Sequence, residues 1–125
     1  MSQIEQRLIE LGSPLPEVAK PVAAYVPSVV SGNLVFTSGQ LPFKDGSLIA
    51  TGKVGETDGL VDPALAKTLA RQCALNALAA IKLAIGDLDR VTRIVKVVGF
   101  VSSVPDFTGQ PGVMNGASEF LVEVF

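Results

Sequence analysis

The sequence predicts a single α+β domain, residues 1–125, whose helices gather on one face of a mixed or antiparallel sheet. Two observations lead to this fold class. The 125 residues are the length of one domain and can bury a core without disulfides or metal. The predicted elements run helix, short strands, long helix, strand, helix, without the repeated strand–helix alternation of a doubly wound fold.

The first predicted element is a short helix. Ile4, Leu8 and Leu11 recur at helical spacing with charges between them, and Gly12 is a good stop. Three prolines follow within residues 13–21, which predicts an extended connector on the surface rather than a regular element.

Two turns come next. Residues 25–30 and 34–37 are rich in β-forming side chains, and residues 31–33 can turn between them, so this part is predicted to be a hairpin. A second turn is predicted at residues 44–47. Residues 51–61, with several glycines and acids, are expected to form a loop.

The clearest element is a helix from Pro63 to Ile85. Asp62 is a good N-cap, Pro63 suits the first helical position and Gly86 can end the helix. Leu75 and Leu78 lie near its polar side, which indicates a second packing partner. The small face of the helix consists of Ala66, Leu69, Ala70, Cys73, Ala77, Ala80 and Ala84.

The last third of the chain predicts a strand, a loop and a helix. Residues 91–101 are almost continuously apolar, as in a strand covered on both faces. Residues 102–112 form the loop, and residues 114–125 repeat apolar side chains at helical spacing. Because this helix reaches Phe125 without a cap, we expect the natural protein to continue beyond it. The alternative is a terminus tucked against a partner subunit.

Composition excludes several kinds of chemistry. The chain has no histidine, which rules out Ser-His-Asp and Cys-His catalysis and most zinc sites. Its one cysteine, Cys73, sits on the small helix face and is expected to be a buried thiol rather than a nucleophile. The net charge of −2 argues against a nucleic-acid surface. No metal, cofactor, membrane span or signal peptide is expected, and the default location is the cytoplasm.

Candidate site residues are Tyr25, Ser38 with Gly39, and Asn115. Ser38 and Gly39 end a strand where a hydroxyl and backbone N–H groups can face a cleft. Tyr25 begins the paired strand, and Asn115 is expected to open the final helix, where N–H groups lack partners. From spacing alone, turn and cap roles are favoured over a functional role for these residues.

The segment Gly32–Pro42 has the sequence GNLVFTSGQLP. It resembles a strand of the Rid/YjgF family in which Gly-Asn is followed by a hydrophobic stretch, TSGQ, a hydrophobic residue and Pro. The resemblance extends from about Tyr25 to the chain end. It includes the helix to Ile85, the stretch Gly86–Val91, the strand Ile94–Val101, Asp106-Phe107 and Asn115.

The resemblance implies a chorismate-mutase-like fold with an extra N-terminal helix, and a homotrimer with ligand clefts between subunits. It also implies hydrolysis of enamine or imine intermediates such as 2-aminoacrylate to 2-oxo acids and ammonia, without a cofactor. Ser38 would then be catalytic, and Tyr25, Gly39 and Asn115 would contact the small 2-imino or 2-oxo acid.

Two departures from the family pattern leave alternatives open. Gly109–Gly112 lengthens the spacing before Asn115, which could displace it from the cleft. The family's carboxylate-binding Arg and water-orienting Glu belong to strands that would follow residue 125. A non-catalytic trimer that binds small carboxylates is therefore the alternative. An endoribonuclease or translation inhibitor ranks behind both, because the chain is acidic and lacks histidine.

Overall fold

The computed structural model describes residues 2–125 and has the predicted α+β composition. One 3₁₀ turn, Leu88–Arg90, follows the second helix. The other elements are α1 (Gln3–Glu10), β1 (Ser28–Ser31), β2 (Leu34–Thr37), β3 (Phe43–Lys44), β4 (Ser47–Leu48), α2 (Pro63–Ile85) and α3 (Gln110–Val124).

The four strands form two antiparallel pairs, β1 with β2 and β3 with β4. Gly32 adopts a φ of 59° in the first turn, which glycine reaches without strain. Asp45 and Gly46 both have positive φ, 52° and 84°, as a two-residue hairpin turn requires. Both predicted turns are therefore confirmed, although β1 starts at Ser28 rather than at Tyr25.

Helix α2 begins and ends where the sequence predicts. The Asp62 carboxylate accepts a hydrogen bond from the Ala64 N–H, and Pro63 occupies the first turn. Gly86 follows Ile85 with a φ of 84°, and its N–H donates to the Lys82 carbonyl. These local signals are strong enough to fix both ends without help from packing.

Helix α2 is covered on two sides. It contacts α3 and, separately, the strands β1, β2 and β3. Leu75 and Leu78 are both buried, which confirms the second packing partner. The core lies chiefly among the helices, and its most deeply buried large side chains are Leu8, Leu78, Leu88 and Phe120.

The approach of α3 to α2 depends on a glycine. A Cβ atom at Gly116 would lie 1.9 Å from the backbone oxygen of Lys67. At the edge of the same contact, Lys67 forms a 3.1 Å ion pair with Glu119. Backbone atoms cannot move aside as the flexible end of a side chain can. Only glycine at this position therefore allows α3 to pack this close to α2.

Helix α1 is docked by charge as well as by burial. The two oxygens of the Asp89 carboxylate accept hydrogen bonds from the N–H groups of Gln3 and Ile4, each at 2.9 Å. These bonds hold the pKa of Asp89 below its ordinary value. A hydrogen bond from Lys82 likewise lowers the pKa of Glu5. These bonds lie beside an open recess, and its polar groups therefore serve to attach α1. The recess is lined by Ser2, Glu5, Lys82, Gly86, Asp87 and Asp89.

The predicted strand at residues 91–101 is wrong. These residues have no regular secondary structure. A strand needs a neighbouring segment with which to form a ladder of hydrogen bonds, and no segment within residues 2–125 pairs with them in this way. The nearest backbone pairing is the isolated bridge between Val54 and Ser103. Val95 and Phe100 remain 69% and 95% exposed.

Helix α3 starts earlier than the sequence predicts, at Gln110 instead of Met114. Pro111 suits the first turn of a helix, so the apparent loop signal at this proline marks a helix start. The prediction that Asn115 opens the helix is therefore wrong, because Asn115 lies inside it. No helix in residues 2–125 is both long and apolar enough to cross a bilayer.

Replacing Gly116 by alanine should destabilise the protein by about 3 kcal/mol, because the new Cβ would force α3 away from α2. Urea unfolding followed by circular dichroism measures the change. Gly112→Ala on the same helix is the matched control, since a Cβ there meets nothing within 4 Å. Its effect should stay under about 1 kcal/mol. Equal stabilities of the two variants would contradict the close approach.

Candidate functional site

The candidate site begins where β2 ends. The Ser38 N–H donates to the Pro27 carbonyl at 2.9 Å, which continues the hairpin pairing one step beyond β2. The chain then leaves the hairpin through Gly39, and Pro42 cannot donate to a strand ladder. Ser38 is thereby fixed in position by the hairpin, at the start of an irregular loop.

A small cavity of about 20 Å³ lies beside this loop. It has room for about one water molecule. Two segments form its walls, the loop 38–43 and the arm 19–27, which joins α1 to β1. The lining residues are Ala19, Lys20, Val22, Tyr25, Pro27, Ser38, Gly39, Gln40, Leu41 and Phe43. The structure thus brings together three of the four predicted site residues.

The Ser38 hydroxyl is the unusual group in this cavity. Its oxygen is buried and makes no hydrogen bond with any group of residues 2–125. A hydroxyl can donate one hydrogen bond and accept two, and leaving it unpaired costs about 1–3 kcal/mol. A buried, unsatisfied hydroxyl on a residue that lines a water-sized cavity is a candidate to bind a water molecule or a polar ligand atom.

Tyr25 lines the cavity from the arm 19–27. Its hydroxyl accepts a hydrogen bond from the Val22 N–H at 3.3 Å, and its own N–H donates to the Ala23 carbonyl at 2.9 Å. Both bonds are local to the arm. Tyr25 therefore holds the arm in a turn beside the cavity, while 41% of its surface stays exposed.

Asn76 on α2 is a positioning residue that the sequence analysis overlooked. It is 4% exposed, and its side-chain amide donates to the carbonyls of Leu41 and Phe43, both at 3.0 Å. Its oxygen accepts a hydrogen bond from Gln72 at 3.0 Å. The loop after Ser38 is therefore tied to the central helix. The sequence did offer one signal for this role, which is a polar residue placed among alanines and leucines.

Asn115 lies apart from these residues. It is exposed on α3 and is not among the residues that line the cavity. Its contact with a ligand stays a prediction.

Cys73 does not contribute a nucleophile to the cavity. It lies outside the cavity lining, and burial raises the pKa of its thiol to about 11. A thiol with that pKa is almost entirely protonated at neutral pH. Cys73 is half-buried rather than fully buried, and its raised pKa agrees with the expectation that it is not a nucleophile.

The charges around the cavity limit its chemistry. Lys20 is the one charged residue among those that line it. Within residues 2–125 the lining therefore holds no carboxylate to act as a general base.

The fold and the loop after β2 define the class of protein. Residues 5–125 match the family model described as "YjgF/chorismate_mutase-like, putative endoribonuclease". The chain therefore belongs to the YjgF/chorismate-mutase-like family, and the resemblance seen in the sequence is confirmed.

Individual relatives agree with this assignment. The chain is 42% identical over 123 residues to protein TCP17 of Trypanosoma cruzi, covering 98% of this chain and 75% of that protein. Atu1372 of Agrobacterium tumefaciens, a protein "with unknown function", has a similar structure, with a TM-score of 0.85 and 46% identity over 97% of this chain and 72% of that one. A "putative endoribonuclease" from Shewanella oneidensis has a TM-score of 0.90 and 34% identity, covering 98% and 79%.

Replacing Asn76 by leucine should destabilise the protein by about 2–4 kcal/mol, because two loop carbonyls lose their donor. Thermal and urea unfolding measure the loss. Gln72→Ala is the matched control: it removes a hydrogen bond to Asn76 but leaves both carbonyls paired, so about 1 kcal/mol is expected. A smaller effect for Asn76→Leu than for the control would contradict the positioning role.

Proposed function

We propose that the protein hydrolyses small, reactive 2-imino acids, such as the imine form of 2-aminoacrylate, to 2-oxo acids and ammonia. It would do so as a cytoplasmic homotrimer. The observation that carries the proposal is the buried, unpaired Ser38 hydroxyl beside a cavity that fits one water molecule. The chain's membership of the YjgF family also supports the proposal, because hydrolysis of imines is the activity that the resemblance to this family implies.

The reaction requires few catalytic groups from the protein. A protonated imine carbon is already electrophilic, so water can add to it without a strong nucleophile or a metal. The water oxygen bonds to that carbon and loses a proton, giving a tetrahedral carbinolamine. Transfer of a proton to the nitrogen lets ammonia leave as the C–N bond breaks and the C=O bond forms. The net reaction converts the imine and one water molecule into a 2-oxo acid and ammonia.

The named residues have defined parts in these steps. The Ser38 hydroxyl would hold the attacking water and then the carbinolamine oxygen, since it can both donate and accept. Gly39 places no side chain at the cavity, and a Cβ there would meet open space, so a ligand can approach the backbone closely. Tyr25 lines the cavity from the arm, and Asn115 remains the predicted contact at the rim.

Exposed apolar side chains support assembly. Val29 lies directly across from Phe36 in the hairpin, and they are 49% and 54% exposed. Their face points away from α2, because Ser28 on the other face hydrogen-bonds the Ala80 carbonyl. With Leu34, also exposed, they form an outward apolar face of the kind that subunit interfaces cover.

Purified protein should accelerate pyruvate release from 2-aminoacrylate generated in situ, and Ser38→Ala should slow it roughly ten- to hundredfold. Lactate dehydrogenase coupling measures the product. Ser47→Ala, an exposed serine outside the cavity, is the matched control and should keep the wild-type rate. No acceleration above buffer would reject the reaction. If 2-oxobutyrate still bound, the non-catalytic carboxylate-binding alternative would replace it.

Cleavage of RNA is the other activity to test, because the family description and the Shewanella protein's name mention an endoribonuclease. The chain's net charge of −2 provides little attraction for phosphates, and it has no histidine for acid–base catalysis. RNA incubated with ribonuclease-free protein therefore serves as a specificity control in the deaminase assay and should remain intact.

Replacing Phe36 by serine should weaken the trimer, because it removes an exposed aromatic side chain from the outward face of the hairpin. Light scattering after size exclusion gives the mass of each species. Val122→Ser on α3, where the side chain is 77% exposed, is the matched control and should leave the mass unchanged. A wild-type protein with the mass of one chain would reject the assembly.

A further inference from the structure

We propose that Arg71 is a positioning residue for the cavity, because it fixes the point at which the chain leaves the core to form the arm. The arm, residues 19–27, makes one wall of the cavity, and the loop 38–43 makes the other. Asn76 ties that loop to α2. Arg71, earlier on the same helix, does the same for the arm, so that α2 holds both walls. The effect on catalysis rests on the proposed function, whereas the attachment of the arm does not.

A hydrogen bond between Arg71 and Ser13 carries the proposal. The Nη1 group of Arg71 donates to the Ser13 hydroxyl oxygen at 2.7 Å, although the two residues are 58 positions apart in the sequence. Ser13 is 7% exposed, so its hydroxyl has little access to water and depends on this donor. Because the guanidinium is charged, the bond is stronger than one between two neutral groups. It attaches the chain to α2 just after α1 ends.

Arg71 is itself held in place by α3. Its guanidinium lies over the ring of Phe120, with the Cζ atom 4.4 Å from the ring centroid. Phe120 is 1% exposed and belongs to the core between the helices. A guanidinium held against a buried aromatic ring has few alternative positions, so its N–H groups keep a fixed direction. Ser13 is therefore bonded to a rigid group rather than to a mobile side chain.

Prolines carry the position of Ser13 onward into the arm. Pro14 follows Ser13 directly, and Pro16 and Pro21 come after it. Each proline fixes its own φ and restricts the residue before it, so this segment is stiffer than an ordinary loop. Leu15 also packs against the core beside the attachment point. A shift at Ser13 would therefore be passed on to the arm instead of being absorbed by a flexible hinge.

The arm has few attachments between its two ends. Residues 21–26 are all exposed, and the hydrogen bonds of Tyr25 stay within the arm. At the far end the Pro27 carbonyl accepts a hydrogen bond from the Ser38 N–H at 2.9 Å. With so little packing in between, the two ends decide where the arm lies. The far end is fixed by the hairpin, which leaves Ser13 as the end that Arg71 controls.

The fluorescence of Tyr25 reports the position of the arm directly. Tyr25 is the one tyrosine of the chain, which has no tryptophan, so the emission comes almost entirely from a residue that lines the cavity. Quenching by acrylamide measures how accessible this ring is. Acrylamide is neutral, so a change of charge at residue 71 does not alter its approach. The ring is 41% exposed, which leaves room for an increase.

Arg71→Met and Ser13→Ala should each raise the acrylamide quenching constant of Tyr25 by up to roughly twofold, because a loosened arm exposes the ring. The double variant should match the single variants, since both remove the same bond. Arg71→Lys should recover much of the wild-type value, because it keeps a charged donor. Lys67→Met is the matched control: it breaks an ion pair between α2 and α3 and should leave the quenching unchanged.

The deaminase assay tests what this attachment does for the ligand. Arg71→Met and Ser13→Ala should raise KM roughly three- to tenfold with little change in kcat, because binding must then order the arm while Asn76 still holds the loop. Circular dichroism checks that each variant is folded.

The two readouts separate the inference from the proposed function. Unchanged quenching in both single variants, or changed quenching with an unchanged KM, would overturn the positioning role of Arg71 and leave the proposed function in place. If the wild type releases no pyruvate, the proposed function fails. Increased quenching in Arg71→Met and Ser13→Ala, with none in Lys67→Met, would then still support the attachment of the arm by Arg71.

Discussion

Helix α2 must be covered on two sides at once, and the rest of the structure follows from that constraint. On one side Gly116 brings α3 against the α2 backbone, where any larger residue would collide with the Lys67 carbonyl. On the other side Asn76 reaches the loop after β2. A helix lined with alanines permits both approaches, because small side chains leave the neighbouring backbones close. The candidate site is thus positioned by the same helix that organises the core.

The elements with strong local signals were predictable from sequence. The ends of α2 follow from Asp62, Pro63 and Gly86, which act through backbone geometry within one turn. The segment 91–101 shows where such reasoning fails. Its composition favours a strand, but a strand exists only when another segment pairs with it, and composition carries no information about that neighbour. Likewise Pro111 has two opposite meanings, a loop signal and a helix start, which only the structure distinguishes.

The candidate site was predictable in a similar, partial way. Tyr25, Ser38 and Gly39 were identified by their positions at strand ends and by family resemblance, and they do line one cavity. Asn76 and Lys20 were missed for different reasons. Asn76 acts through the carbonyls of a distant loop, a partnership with no sequence periodicity. Lys20 lies in an irregular arm, where neither spacing nor propensity indicates which way the chain turns.

The same cavity explains how weak catalytic groups could suffice. A serine without a general base is a poor nucleophile, so a mechanism that required Ser38 to attack would fail here. A mechanism that requires only a held water and a fixed substrate does not need activation. The specificity must then come from placing the substrate, and placement needs an anchor away from the reacting carbon. For a small acid the carboxylate is the strongest available anchor. Under the proposed function, placement of the substrate and attack by a held water are therefore two parts of one requirement.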